Sequence, residues 1–152
     1  MREEVVKRIK DKTLILGVGN DILMDDGLGP RLTCDLKGLL GERYVDYETI
    51  NLGGLEILEF IRDYENVIII DAIKTRDGVP GDVYLMTPAD FRETCHLSSF
   101  HDVSFLNALK LGREIDIKIP GNIMIIAIEI VEDTVFSETF SPEIDRKYDH
   151  IL

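Results

Sequence analysis

In the stretch TLILGVGNDILMDDGLGPRL, residues 13–32, Asn20, Asp21, Asp25 and Asp26 crowd a glycine-punctuated loop directly after an apolar run. Dinucleotide-binding folds hold a pyrophosphate at this place, on the backbone N–H groups of a G-x-G-x-x-G turn. Gly17 and Gly19 would supply the first two glycines, but Ile22 stands at the third position and no Walker lysine is present. Aspartates there would repel a phosphate. The plain structural reading is that Asp25 and Asp26 cap the following helix and favour its positive N-terminal end. Asp25 could also orient Asp26.

Two other residues give the loop a chemical reading. Asp71 ends the β-branched run NVIIIDAI, and His101 opens a helical pattern in SSFHDVSFLNAL. Each has an ordinary role open to it, the aspartate as a loop cap and the histidine as a surface or capping residue. Together, Asp26, Asp71 and His101 would form a site of two carboxylates and one imidazole. Imidazole suits nickel, zinc and copper, while carboxylates add negative charge and hydrogen-bond acceptors. His96 and His150 compete with His101 for the imidazole position. Cys95 stands beside His96, which raises a thiolate nucleophile, although adjacent residues rarely aim at each other productively.

The elements that must position these groups are legible from periodicity. Residues 12–17 read as a buried strand, and the segment GLGPRLTCDLKGLL has apolar residues at helical spacing: Leu28, Leu32, Leu36, Leu39 and Leu40. Pro30 suits the first turn of that helix, and Cys34 is expected as a small core residue. RYVDYETI alternates as a second strand. GGLEILEFIRDY is a helix with Leu55, Leu58 and Ile61 along one face, and Gly53-Gly54 form a turn or admit a substrate backbone. NVIIIDAI reads as a central parallel strand buried on both faces.

The turn-rich KTRDGVPG is too short for a crossover helix, so DVYLMT is expected to pair antiparallel, as a hairpin or an edge. PADFRET reads as a short helix, DVSFLNALKLGR as a longer one, and NIMIIAIEI as a last central strand. SPEIDRKYDHIL is a helix with Ser141 at its N-cap and Pro142 at its first position. The order β-α-β-α-β-β-α-β-α defines a three-layer α/β/α sandwich with a mostly parallel, twisted sheet carrying one antiparallel strand. In doubly wound sheets ligands bind beyond the carboxyl ends of the strands, where strand order reverses. If the first strand lies between the second and third, Asp26 and Asp71 face that crevice.

Composition narrows the function classes. The chain of 152 residues suits one domain, 1–152, with 45% hydrophobic and 30% charged residues. Its 29 acidic and 17 basic residues give a net charge of −12, which disfavours nucleic acid as a partner. The apolar runs are too short to span a bilayer, and MREEVVKRIKDK lacks a secretory pattern, so a cytoplasmic protein is expected. Two cysteines without a CxxC pair argue against a zinc ribbon or a redox site.

Taken in order, GVGNDILMDDGLGP, the glycine pair of NLGG, IIIDAI with its terminal Asp71, FHDVSFLNAL and IEIVEDTVFSETFSPEI resemble the maturation endopeptidases of NiFe hydrogenases. The likeness covers nearly the whole chain. It implies a twisted sheet between helices, and Asp26, Asp71 and His101 as the metal-contacting, catalytic set. It implies removal of a C-terminal extension from a hydrogenase large-subunit precursor. The nickel would be supplied by that precursor and would not be a resident cofactor, with the peptidase a monomer before engagement. Two mechanisms stay open. The metal or a carboxylate activates water while cation charge stabilises the oxyanion, or Asp26 and Asp71 share a proton as an acid-protease dyad. A non-enzymatic nickel-binding chaperone or sensor is the alternative function.

Overall fold

The computed structural model describes the backbone of residues 13–51, 54–93 and 100–152, and the side chains of these residues other than 91–104. Among these residues five strands form one sheet: β1 (Thr13–Val18), β2 (Asp46–Ile50), β3 (Asn66–Ile73), β4 (Val83–Met86) and β5 (Asn122–Glu129). The helices are α1 (Leu28–Leu40), α2 (Glu56–Ile61), α3 (Pro88–Glu93), α4 (Phe100–Glu114) and α5 (Pro142–Ile151). A 3-10 turn, Met24–Gly27, leads into α1.

The strand order is β2-β1-β3-β5-β4. All pairs are parallel except β4 with β5, where Leu85 lies opposite Ile126. Of the two options for DVYLMT, the edge is realised and the hairpin with its sequence neighbour is not. The long apolar β5 takes the seat beside β3, from Asn66↔Asn122 to Ile73↔Glu129, and leaves β4 outside it.

The two-residue alternation of the strands divides the core. Leu14, Leu16, Val67, Ile69 and Ile125 pack with Ile57, Leu58 and Ile61 of α2 and with Phe105, Ala108 and Leu109 of α4. On the other face Ile15, Ile70, Ala72 and Ile128 meet Leu28 and Leu32 of α1 and Ile144 of α5. β1, β3 and β5 are therefore apolar on both faces, as the strands of a covered parallel sheet must be.

Several helix faces depart from the periodicity reading. Cys34 is exposed and not a core residue, because the stripe of α1 that meets the sheet runs through Leu28, Leu32 and Thr33. Leu39 and Leu40 are exposed because the last turn of α1 stands clear of the core. Leu55 is exposed as well, with α2 burying Ile57, Leu58 and Ile61. Among the described residues no helix is long and apolar enough to cross a membrane.

The seat of α1 on the sheet depends on glycines at the contact, Gly17 on β1 and Gly29 on the helix. A Cβ on Gly29 would overlap the Val18 carbonyl oxygen and stand 2.5 Å from that of Ile70, both rigid backbone. Gly29→Ala should therefore push α1 off β1 and β3 at a cost of about 3 kcal/mol. A fall in the urea midpoint would show it, and an unchanged midpoint would mean that the helix seat is not tight.

Candidate active site at the carboxyl end of the sheet

The chain leaves β1 toward β2 on one side and returns to β3 on the other, so strand order reverses between β1 and β3. In open α/β sheets such a reversal is where ligands are bound, beyond the carboxyl ends of the two strands. The 3-10 turn that follows β1 packs against β3. Asp26 sits in this turn, at 7% exposure; Asp71, at 5%, does not end its strand but lies within β3 opposite Ala127, and the strand continues to Ile73.

Local hydrogen bonds fix both carboxylates. Asp26 Oδ2 accepts the backbone N–H of Asn20 at 2.8 Å, closing the loop on itself. Gly19 makes this possible at φ 145, since a Cβ there would collide with the carbonyl oxygen of Asp26. Asn20 Oδ1 in turn accepts the N–H of Ile22 at 3.2 Å, an Asx-type turn that shapes the loop. Asp71 Oδ1 accepts the N–H of Ala72 at 2.8 Å. Neither aspartate serves as a helix cap: the N-cap of α1 is Gly27, and no side chain bonds it.

Asp25 also differs from expectation. It is fully buried, does not cap α1, and reaches across the chain instead. Its Oδ1 accepts Ser141 N–H at 2.7 Å. Its Oδ2 accepts the Ser141 hydroxyl at 2.7 Å and the N–H groups of Val131 and Glu132 at 3.2 and 3.0 Å. Backbone pairing continues the clamp, with Met24 N–H donating to Ser137 O and Ser137 N–H to Ile22 O. Ser141 does occupy the N-cap position of α5, but its side chain makes no cap bond; its hydroxyl donates to Asp25 instead.

A second buried acid was not singled out from the sequence. Glu129 ends β5 opposite Ile73 and is 1% exposed. Its Oε1 accepts Thr75 N–H at 2.6 Å and its Oε2 the Thr75 hydroxyl at 2.9 Å. It thereby pins the loop that follows β3. A Cβ on Gly78 would overlap its carboxylate, so that loop wraps the acid closely. The signal was present as a lone glutamate closing the apolar run NIMIIAIEI.

His101 lies in the first turn of α4, and its side chain falls outside the described residues, as do Cys95 and His96. His150 is exposed in the last turn of α5. That helix starts beside Asp25 and carries His150 about 13 Å farther along its axis. Gly54 has φ 101 and accepts the N–H of Ile57, which is the turn reading for that glycine; Gly53 lies outside the described residues. Among the described residues no three His, Cys, Asp or Glu side chains gather into a metal-holding group.

The fold thus defines a doubly wound α/β protein, with two nearly buried carboxylates, Asp26 and Asp71, near its switch point. The sequence profile of HycI, hydrogenase maturation protease, matches residues 42–152, and the chain belongs to that family. The hydrogenase 2 maturation protease of Escherichia coli (strain K12) is 35% identical over 80 residues. That stretch spans 49% of this chain and 46% of the relative, less than half of each. Among solved structures, the hydrogenase maturating endopeptidase HybD from E. coli superposes with a TM-score of 0.75 at 22% identity, covering 93% of this chain and 87% of that one. The NiFe hydrogenase maturation protease HybD from Thermococcus kodakarensis gives 0.69 at 24% identity, covering 92% and 93%. These two likenesses carry the fold.

Proposed function

We propose that the chain is an endopeptidase that removes the C-terminal extension of a nickel-loaded NiFe hydrogenase large-subunit precursor. The observation that carries this reading is the placement of two nearly buried carboxylates, Asp26 and Asp71, at the strand-order reversal. Membership in the maturation protease family supports the reaction class.

Nickel enters as part of the substrate. Two carboxylates offer anionic oxygen donors, and an imidazole is the nitrogen donor that suits nickel. Asp26, Asp71 and His101 engage the metal and bring the scissile amide beside it. Water adds across the C–N bond, its oxygen to the carbonyl carbon and a proton to the departing amine. Cation charge offsets the oxyanion that develops. In the competing route Asp26 and Asp71 share one proton and activate the water themselves. Both routes need the same two carboxylates. The protein acts as a cytoplasmic monomer that meets its substrate once per precursor.

Purified protein mixed with nickel-loaded precursor should release a C-terminal peptide, seen in the mass spectrum. A stable complex without release would instead make the chain a nickel-binding chaperone or sensor.

A further inference from the structure

Residues 131–141 form an arm held against the Asp26 loop by Asp25 and by the Leu23↔Ser137 bridge. A segment fixed this firmly could bury its apolar side chains. It displays them: Phe136 is 79% exposed, more than any other large apolar side chain among the described residues, and Val135 is exposed beside it. Ile22 is also exposed, and its carbonyl accepts Ser137 N–H, so it belongs to the same lip as Phe136. The lip borders the loop that carries Asp26. Acidic side chains flank it, with Asp21 and Glu138 both exposed. Glu138 also lines a cavity of about 390 Å³, together with Arg31, Phe140, Asp145 and Asp149.

We infer that Ile22, Val135 and Phe136 form a docking lip for the precursor polypeptide, receiving an apolar residue that has basic neighbours in the partner chain. The inference rests on the endopeptidase reading and adds the substrate contact that reading lacks. Three observations favour this occupant: continuity with the Asp26 loop, rigid display of an aromatic side chain, and a border in which Asp21 and Glu138 outnumber the single Arg31, which suits a segment carrying basic residues. Exposed aromatics on a rigid support lose little conformational freedom on binding and serve as interface hot spots. The acidic rim would act chiefly on encounter rate and salt dependence.

Phe136→Ala removes an exposed ring with no core role, so the melting curve should not move. The KM for nickel-loaded precursor should rise about tenfold with kcat unchanged, the pattern of a lost binding contact. The same substitution placed in an Asp26→Asn background should weaken precursor binding about tenfold by titration calorimetry, a readout that does not need cleavage. Unchanged KM and unchanged affinity would overturn the lip. So would sedimentation showing that Phe136→Ala turns a dimer into a monomer with KM unaltered, since the lip would then be a contact between copies. If Asp26→Asn still processes precursor normally while Phe136→Ala weakens binding, the catalytic assignment falls and the docking lip stands.

Discussion

Asp71→Asn and Asp26→Asn will each slow precursor processing by about a thousandfold or more, in line with the loss of a group that acts on the reacting atoms. The amide keeps the size of the carboxylate and one oxygen acceptor. Ala72 N–H can still be satisfied at residue 71, and Asn20 N–H at residue 26. The loop and the strand should therefore hold their shape. What disappears is the negative charge, and with it both cation engagement and the ability to take a proton from water. Processing is followed by the gel shift between precursor and mature subunit, with circular dichroism melts as the control for folding. Normal processing in both folded variants would remove these aspartates from the chemistry.

Asp25→Ala will destabilise the protein by about 3 kcal/mol, more than a surface change and near the upper range for single substitutions. The side chain is fully buried and accepts four hydrogen bonds. Its removal leaves the N–H groups of Val131, Glu132 and Ser141 without that acceptor inside the fold. For a chain of this length the melting temperature should fall by roughly 6–12 °C. Asp25→Asn should rescue only part of the loss, because the new NH2 group faces donors where the carboxylate faced them as an acceptor. The clamp also joins the Asp26 loop to the arm that carries Phe136, so both variants should lose processing before they unfold. A melting temperature unchanged in Asp25→Ala would show that the clamp contributes nothing to stability.

The fold was largely legible because its signals are local and repetitive. The β-branched run of β3 announces a strand buried on both faces, and the short KTRDGVPG turn dictates an antiparallel neighbour. Which strand β4 would pair with was not legible, since competition between β3 and β5 is decided by register far along the chain. The Asp-rich loop stood out because its carboxylates contradict a phosphate cradle. Asp25 and Asp26 are adjacent and identical in type, however, and nothing local separates them. Only the partners at Val131, Glu132 and Ser141 show that Asp25 is structural while Asp26 remains at the crevice. Glu129 was hidden for the same reason, its partner Thr75 lying on another strand's loop. Cys34 misled because its spacing fits an apolar stripe that the sheet does not reach.

The measurement that bears most directly on the account is the rate of peptide release from two batches of one precursor, loaded with nickel and stripped of it. Asp26, Asp71 and His101 are proposed to meet the substrate through its cation, so release should follow the nickel content and vanish in the stripped batch. Equal rates from both batches would contradict engagement through the cation and leave Asp26 and Asp71 to act on water as a proton-sharing pair.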